Sequence, residues 1–536
     1  MRLLFLLNIL VLVCLGCKEA KPEKKPNKTR PNILFAISDD QSYLHTGFAG
    51  SKFIKTPAFD RIAKEGLYFT SCYAGSPGCA PSRSAIVTGR HHWQNEQSGQ
   101  HASSWMKKYV PFTDELLANG YRVGRTGKGV SPFRYAKDEK DSLWRKTDAA
   151  GISHSETRFP ENSKLPPTKG ISDLDYFANF EYFMENVGKE EPFFFWYGGS
   201  EPHRKFEKGS WKRMGKKLED VEVPDFLPDT REIRGDLLDY AVEIEWFDQQ
   251  LLKMLNYLEA TGELENTIVI VTSDNGMAFP RAKANSYEYG AHVPLAVRYP
   301  KKFGTSRKVD DLVGFIDFAP TVLEITETKP KKMLPITGKS FLNILKSKED
   351  RLTDTSREYS FVGRERHSSS RYKNLGYPQR AIFSNDYALI WNMKPKRWPA
   401  GAPQKYDSKD TTILLPLYGL DETGKYIPDA AFTDIDDCPT KTYIIENHKN
   451  DSIARYFELA HGKRSEFELY DIEKDASCLI NIFDNPDYRE IGEQLLTVLK
   501  EELTSTKDPR MVGPDKAIFD SYKRYSRLRQ FPKVEE

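Results

Sequence analysis

Short, nearly continuous apolar runs recur along the chain and are separated by polar segments. Three of these runs are pronounced and occupy residues 32–38, 192–197 and 267–272. Runs of this length are typical of strands that are buried on both faces of a parallel sheet. Further apolar runs predict strands at residues 121–125, 294–299 and 312–316.

Segments with helical periodicity alternate with these strands. Thr56-Pro57 and the AFDRIAKEG sequence after it have the features of a helix with proline at its first position and a glycine stop. Residues 172–187 also have a helical pattern, and residues 229–261 are predicted to form one long helix or two. This alternation predicts an α/β sandwich with a large, mainly parallel sheet flanked by helices.

The pattern changes near residue 371. Residues 387–391 and 466–470 are predicted strands of a short antiparallel sheet, and residues 488–503 a final helix. We therefore expect a large domain, a smaller C-terminal subdomain and a basic tail, over residues 31–370, 371–515 and 516–536.

The N-terminal segment has the features of an export signal. An apolar run over residues 3–15, too short to span a membrane comfortably, ends at Gly16-Cys17. A small residue before a cysteine resembles a bacterial lipoprotein cleavage box with the lipid on Cys17, although Cys14 stands where leucine is usual. An ordinary secretory signal is the alternative. We expect residues 1–16 to be removed and residues 17–30 to form a flexible tether. The mature protein would be periplasmic or at the cell surface, with Cys17 as its membrane anchor.

Composition and charge exclude several classes of protein. The 536 residues include 79 basic and 77 acidic side chains, for a formal net charge of +2. So small a net charge does not attract nucleic acid, and no nucleic-acid partner is expected. Six cysteines in 536 residues are too few for a disulfide-built scaffold. The one CxxC spacing includes Cys14 of the predicted leader, so no zinc site of usual spacing is expected in the mature chain.

Acidic and amide side chains follow two of the predicted buried strands. Asp39-Asp40 ends the first run, and Asp274-Asn275 follows the third. Open α/β sheets place their sites at such strand ends. Carboxylate and amide oxygens suit Ca²⁺ or Mg²⁺, and the sequence does not choose between the two ions. Taken alone, an Asp-Asp pair after a strand is more often a helix cap or a turn.

A cysteine stands at the predicted start of a helix, in Cys79-Ala80-Pro81-Ser82-Arg83. A cysteine at a helix N-terminus is expected to have a lowered thiol pKa, with an anion site beside it. The alternative is a buried structural cysteine.

The Cys-X-Pro-X-Arg motif, placed between the two strand-end pairs, resembles the signature of the type I sulfatases. The resemblance runs from about residue 31 to about residue 510. It implies an alkaline-phosphatase-like core, and a C-terminal subdomain that completes the substrate pocket of a catalytic domain over residues 31–370. It also implies that a maturation enzyme oxidises Cys79 to formylglycine, whose hydrated aldehyde is the nucleophile. One Ca²⁺ would then be held by Asp39, Asp40, Cys79, Asp274 and Asn275.

The same resemblance extends to further residues of the site. Lys128, in YRVGRTGK, is similar to a lysine that reaches the sulfate, and Lys283 to a second lysine after the metal pair. His203, in Glu-Pro-His, is similar to a histidine near the leaving group. Either His203 or Lys283 would protonate the departing oxygen, and Arg83 would hold the hydrate. Each has an ordinary alternative as a solvated lysine or a structural histidine.

The chain departs from the family pattern at Val130, where members often carry histidine two positions after the first lysine. His101 is a candidate pocket residue but not a clear substitute. Around it, residues 92–101, like residues 275–280, look most like the heparan N-sulfatase branch, whose relatives include enzymes for sulfated algal polysaccharides. Candidate substrate-binding residues are His101, Arg364, His367 and Arg380.

The expected function is hydrolysis of sulfate esters of a sulfated saccharide, such as an ulvan-type algal glycan or a glycosaminoglycan. Three alternatives remain open from the residues. They are N-sulfoglucosamine sulfohydrolase activity, hydrolysis of phosphonate or phosphodiester bonds, and glycan binding by a non-catalytic relative.

Overall fold

The computed structural model describes residues 30–137, 142–188 and 190–533. The predicted leader, the lipidation residue Cys17 and the tether up to residue 29 lie outside these ranges, as do residues 534–536 of the tail. Among the described residues, no helix has both the length and the apolar character needed to cross a membrane.

The strands of the described chain, numbered in chain order, are β1 (Asn32–Ser38), β2 (Leu67–Phe69), β3 (Cys72–Tyr73), β4 (Ser103–Trp105), β5 (Arg122–Gly127), β6 (Phe133–Tyr135), β7 (Ile152–Ser153), β8 (Phe193–Gly198), β9 (Thr267–Ser273), β10 (Leu295–Arg298), β11 (Arg307–Val309), β12 (Val313–Gly314), β13 (Ser360–Arg364), β14 (Gln379–Phe383), β15 (Tyr387–Asn392) and β16 (Phe467–Asp471).

The α-helices are α1 (Pro57–Glu65), α2 (Cys79–Thr88), α3 (Phe112–Ala118), α4 (Tyr176–Glu185), α5 (Ser210–Arg213), α6 (Arg231–Ala260), α7 (Glu288–Ala291), α8 (Phe318–Ile325), α9 (Leu342–Lys346), α10 (Pro439–Glu446), α11 (Asp451–His461), α12 (Arg489–Ser505), α13 (Pro509–Val512) and α14 (Ile518–Ser521).

The large sheet has eight strands in the order β11-β2-β10-β9-β1-β8-β5-β7. The central strand β1 pairs in parallel with both β8 and β9, so all three pronounced apolar runs lie side by side. Strand β10 is antiparallel to β9 and to β2. The prediction of a mainly parallel sheet is confirmed.

Helices cover both faces of this sheet because its strands are apolar on both sides. In β1, Ile33, Phe35 and Ile37 face one core, whereas Leu34 and Ala36 face the other. The second core is closed by α6, which is a single helix of 30 residues whose first turn is capped by Thr230. The predicted strand near residues 312–316 contributes only β12, which pairs with β3 outside the large sheet.

The smaller antiparallel sheet has the order β13-β14-β15-β16 and is covered by α12. Its first strand, β13, pairs along its whole length with β14 and therefore belongs to this sheet. The smaller subdomain thus begins before the predicted boundary at residue 371. The segment predicted as a basic tail is also part of the fold. Phe519 in α14 is buried, and the Tyr525 N–H donates to the carbonyl oxygen of Ala102.

Candidate active site

The two strand-end pairs meet because β1 and β9 are adjacent parallel strands with Ser38 opposite Ser273. The backbone N–H of Asp40 donates to Asp274 Oδ1 at 3.1 Å, and Asn275 Nδ2 donates to Asp40 Oδ1 at 2.8 Å. All four side chains of the two pairs are buried. The structure thus concentrates three carboxyl groups and one amide at the carboxyl edge of the sheet.

Cys79 is the first residue of α2 and lies beside these carboxyl groups. Its Sγ and one oxygen each of Asp39 and Asp274 lie within 4.8 Å of one another. Asp39 Oδ1 and the amide oxygen Asn275 Oδ1 are buried and accept no hydrogen bond from the described residues. Buried oxygens without a donor are expected where a cation supplies the missing interaction. The residues present therefore fit a hard divalent cation.

Three cationic side chains face this acidic cluster. Arg83, fully buried in α2, donates through Nε to Asp274 Oδ2 at 2.7 Å and through Nη1 to the carbonyl of Lys128 at 3.0 Å. The ammonium group of Lys128 contacts Asp39. Lys283 Nζ lies 2.6 Å from Asp40 Oδ2. Arg83 consequently connects the acidic cluster to the loop that carries Lys128.

Lys128 is positioned by the close approach of β5 to β8. Its N–H donates to the carbonyl of Gly198 at 2.7 Å. A Cβ atom on Gly198 would lie 1.7 Å from the Lys128 carbonyl oxygen, so only glycine is accommodated there.

Charge pairing determines the protonation states of this cluster. Burial disfavours the charged form of Lys283, but Asp40 raises its pKa well above the usual lysine value. Burial likewise works against ionised Asp39, but Lys128 and the other cations hold its pKa well below the usual range. Burial also opposes the charge of Lys128, but Asp39 raises its pKa above the usual lysine value. Both lysines and Asp39 are therefore charged at neutral pH.

The expectation of a lowered thiol pKa at Cys79 is wrong. Burial, together with the neighbouring Asp39 carboxylate, raises the pKa of the thiol well above its usual value. These effects outweigh the opposite influence of Lys128 and Lys283. The unmodified thiol is therefore protonated and a poor nucleophile. The four described cysteines, including Cys79, form no disulfide.

His203 follows β8 and lies at the edge of the cluster. Its Nδ1 donates to the carbonyl of Arg204 at 2.7 Å, which leaves Nε2, 4.0 Å from Asp40 Oδ2, facing the carboxylates. Asp436 completes a second group with Asp40 and His203, and its carboxylate lies 3.5 Å from Lys283 Nζ. Sequence reasoning missed Asp436; the available signal was the acidic TDIDDCP segment that contains it.

His101 and His367 form a wall next to the start of α2. Their ring centroids are 5.3 Å apart, and His367 Nδ1 lies 3.1 Å from where a Cβ atom on Gly78 would be. Burial lowers the pKa of both imidazoles, that of His367 to about 3, so both are neutral at pH 7. Arg524, from the segment predicted as a tail, lies 3.3 Å from His101 Nδ1 and donates to the His367 carbonyl. Sequence reasoning missed Arg524 as well.

Two predicted substrate-binding arginines are instead buried in ion pairs. Arg380 is fully buried and donates to Asp508 at 2.6 Å and Glu365 at 2.8 Å. Arg364 is 2% exposed and pairs with Asp434 at 2.6 Å. The structure corrects the prediction for Arg380, because every nitrogen of its guanidinium is engaged within the protein. In Arg364 only Nη2 is engaged, whereas Nε and Nη1 are buried without a partner among the described residues.

Val130 faces the core rather than the acidic cluster. Its side chain is 1% exposed and belongs to the apolar cluster beneath the sheet, and its N–H donates to Asp148 Oδ1 at 2.8 Å. The position that often carries histidine in the family therefore cannot provide a base here.

The fold is an alkaline-phosphatase-like α/β sandwich. The Sulfatase family profile matches residues 31–328, more than half of the chain. The chain therefore belongs to the Sulfatase family and is a sulfuric ester hydrolase. A second profile, "N-sulphoglucosamine sulphohydrolase, C-terminal", matches residues 282–398.

Characterised relatives are similar over almost the whole chain. An ulvan-active sulfatase of Formosa agariphila is 25% identical, over 95% of this chain and 82% of its own. Human N-sulphoglucosamine sulphohydrolase is 25% identical, over 94% of each chain.

Solved structures share the fold. A complex of a protein with its substrate D-glucosamine-2-N,6-O-disulfate has a TM-score of 0.59 at 20% identity, covering 90% of this chain and 99% of that one. The phosphonate monoester hydrolase of Agrobacterium radiobacter has a TM-score of 0.61 at 16% identity, covering 90% and 97%.

Proposed function

We propose that this protein hydrolyses sulfate esters of a sulfated oligo- or polysaccharide, using formylglycine derived from Cys79 and one bound Ca²⁺. The observation that carries the proposal is the position of Cys79, at the start of α2 between buried carboxylates and the cations Arg83, Lys128 and Lys283. The saccharide substrate is supported by the named substrates of the relatives, which include ulvan and N-sulphoglucosamine.

The proposed Ca²⁺ would be held by Asp39, Asp40, Asp274, Asn275 and the modified residue 79. When bound, the ion neutralises the oxygens of a sulfuryl group. The unpaired oxygens of Asp39 and Asn275 support this assignment. A thiol is a soft ligand that suits Ca²⁺ poorly, whereas an oxygen at the same position is a hard ligand. The ligand chemistry thus favours an oxidised side chain at position 79.

Formylglycine, when present, supplies a hydrated aldehyde with two hydroxyl groups, one to attack sulfur and one to release sulfate. The surrounding residues hold this chemistry in place. The Arg83 guanidinium donates to Asp274, to the carbonyls of Lys128 and Gly129, and to the carbonyl of Ser38, and so fixes the acidic cluster and the Lys128 loop. Lys128 and Lys283 add fixed positive charge where the sulfate oxygens are expected to lie.

Protonation of the departing sugar oxygen is assigned to His203. Its Nδ1 is occupied by the Arg204 carbonyl, so Nε2 is the atom that exchanges a proton with substrate. Lys283 is the second candidate, but its ion pairs with Asp40 and Asp436 favour retention of its proton.

Two alternatives have specific support. N-sulfoglucosamine sulfohydrolase activity is supported by the profile match over residues 282–398 and by the human relative. Phosphonate ester hydrolysis is supported by the fold likeness to the Agrobacterium enzyme, and fold alone does not separate sulfate from phosphonate. A non-catalytic role is disfavoured, because Cys79, Arg83 and the metal-binding side chains are all present.

Parallel assays would test the proposal. The peptide containing residue 79 is first checked for formylglycine by mass spectrometry. The protein is then assayed on O-sulfated and N-sulfated oligosaccharides, a phosphodiester and a phosphonate monoester. We expect release of sulfate from an O-sulfated saccharide, and loss of turnover in Cys79→Ala. Formylglycine without sulfate release from any saccharide, or an active Cys79→Ala variant, would contradict the proposal.

We further propose that the protein is exported and anchored through a lipid on Cys17, and that a maturation enzyme acts on Cys79 in the same host. The support is the sequence pattern of residues 1–17 and the Cys-X-Pro-X-Arg motif. Metabolic labelling with palmitate would incorporate label into the wild type and not into Cys17→Ser. Equal labelling of both would exclude this anchor.

A further inference from the structure

A cavity of about 710 Å³ lies between the loops of the antiparallel-sheet subdomain and the C-terminal segment, apart from the active site. None of the side chains assigned to the active site above lines it. Its lining includes one carboxylate, Asp520, and six basic side chains: Arg371, Lys373, Lys394, Lys396, Arg397 and Lys533. A cavity of this volume is large enough for a small ligand or part of a longer chain.

The positive charge of this cavity is only partly balanced. Arg371 pairs with Asp434 at 2.7 Å, and Arg397 lies 3.3 Å from Asp520. Lys373, Lys394 and Lys396 are exposed, and none of the three is in an ion pair within the described part of the chain. Exposed cations without carboxylate partners leave a local excess of positive charge in a chain whose net charge is only +2.

Two aromatic side chains stand among these lysines. Tyr372 and Trp398 both line the cavity and are partly exposed, and Lys373 Nζ lies 5.6 Å from the centre of the Tyr372 ring. Aromatic faces pack against the apolar faces of sugar rings, while neighbouring cations pair with sulfate or carboxylate groups. This combination suits an anionic saccharide better than a free inorganic anion, which needs no aromatic surface.

One short segment connects this cavity to the active site. His367, beside the start of α2, and Arg371, in the cavity wall, are four residues apart, so their Cα atoms are separated by at most about 14 Å. Asp434 holds this segment in place, because it accepts hydrogen bonds from the Ser368 N–H at 3.0 Å and from the Arg371 guanidinium. An oligosaccharide of a few sugar units can span this distance.

We propose that this basic cavity binds the remote part of an anionic oligosaccharide whose sulfated unit occupies the active site. The inference rests on the proposed function and adds to it a preference for extended chains over single sugars. Lys394 and Lys396 contribute charge, and Trp398 contributes a stacking surface.

A kinetic comparison tests the proposal. The double variant Lys394→Ala/Lys396→Ala is compared with Lys329→Ala/Lys331→Ala, which removes two exposed lysines outside the cavity. For an oligosaccharide substrate, loss of the cavity lysines should raise KM about three- to tenfold with little change in kcat. Turnover of a small aryl sulfate should be unchanged in both variants. An equal effect on both substrates, or the same KM increase in the control, would overturn the proposal.

Direct binding separates this inference from the proposed activity. Cys79→Ala protein, which the proposed function predicts to be inactive, is titrated with hexasaccharides derived from heparin, chondroitin sulfate and ulvan. At least one should bind with salt-dependent affinity that the Lys394→Ala/Lys396→Ala change weakens by at least threefold. Equal binding to both proteins, equally tight binding of a single-stranded oligonucleotide, or no binding of any hexasaccharide would overturn it. Failure of the wild type to release sulfate would instead contradict the proposed function.

Discussion

A substitution at Arg380 would distinguish the substrate-binding role predicted from the sequence from the structural role that its buried ion pairs indicate. Its guanidinium is fully buried and donates through Nε to Asp508 at 2.6 Å, and through Nη2 to Glu365 at 2.8 Å. Nη1 donates to the carbonyls of Arg364 and Gln379. Because every nitrogen is used within the protein, Arg380→Met should reduce stability rather than substrate binding.

The size of the effect follows from what the substitution leaves behind. Removing one partner of a buried ion pair typically costs about 3–5 kcal/mol, because the other charge stays buried. In the variant, Glu365 would keep its bidentate ion pair with the Arg510 guanidinium. Asp508 would keep the hydrogen bond that it accepts from the backbone N–H of Arg510. We therefore expect a loss near the lower limit, about 3 kcal/mol.

Urea unfolding would measure the loss, and steady-state kinetics at a temperature where both proteins are folded would measure KM. Arg455→Met, at an exposed arginine of α11, is the matched control and should change stability by less than about 0.5 kcal/mol. Asp508→Asn should destabilise as Arg380→Met does, and the double variant should lose less than the sum. A stable Arg380→Met protein with a raised KM would refute this reasoning and restore the substrate-binding role.

Three further predictions concern the ion pairs of Asp434, the bound metal, and Val130, where family members often carry histidine. Burial raises the pKa of Asp434, but Arg371 and Arg364 more than offset this and hold it well below the usual range. Its carboxylate therefore stabilises the fold above the unfolded-state pKa of about 4, and this contribution is lost as the pH falls below it. Asp434→Asn should accordingly be less stable than the wild type at pH 7. Urea unfolding should show that the difference in free energy of unfolding between the two proteins narrows below about pH 4. A difference that does not depend on pH would contradict the ion pairs. Removal of divalent cations with EDTA should lower both activity and the unfolding midpoint, and Ca²⁺ should restore both; unchanged activity in cation-free buffer would contradict the metal assignment. Val130→His should destabilise the core by about 1–3 kcal/mol without raising kcat, and a faster, equally stable variant would show that residue 130 reaches the site.

Much of the acidic cluster could be predicted because it lies at the ends of parallel strands. Once β1 and β9 are recognised as buried parallel strands, Asp39, Asp40, Asp274 and Asn275 must follow them on one edge of the sheet. Lys128 and His203 follow β5 and β8 on the same edge. Their approximate location therefore depends on local sequence and a general rule of sheet topology.

The remaining site residues depend on contacts between distant segments. Asp436 and Arg524 lie outside strands and helices, where no periodicity indicates which way a side chain points. Arg380 was misassigned because its partner Asp508 is 128 residues away, and an arginine in a sequence shows its charge but not the carboxylate that neutralises it. The thiol pKa of Cys79 was misjudged for a related reason, since burial and the Asp39 charge arise only when the chain has folded.

Local sequence was enough to predict the mainly parallel sheet, the strand-end acidic pairs and the cysteine-containing motif at the start of a helix. Each of these is encoded within a few consecutive residues, through hydrophobic pattern or local motif. The folded chain was needed to show which charges neutralise one another, that Val130 faces the core, and that the C-terminal segment packs beside His101 and His367. Ion pairing, burial and cavity shape are properties of segments brought together in space, so no local pattern specifies them.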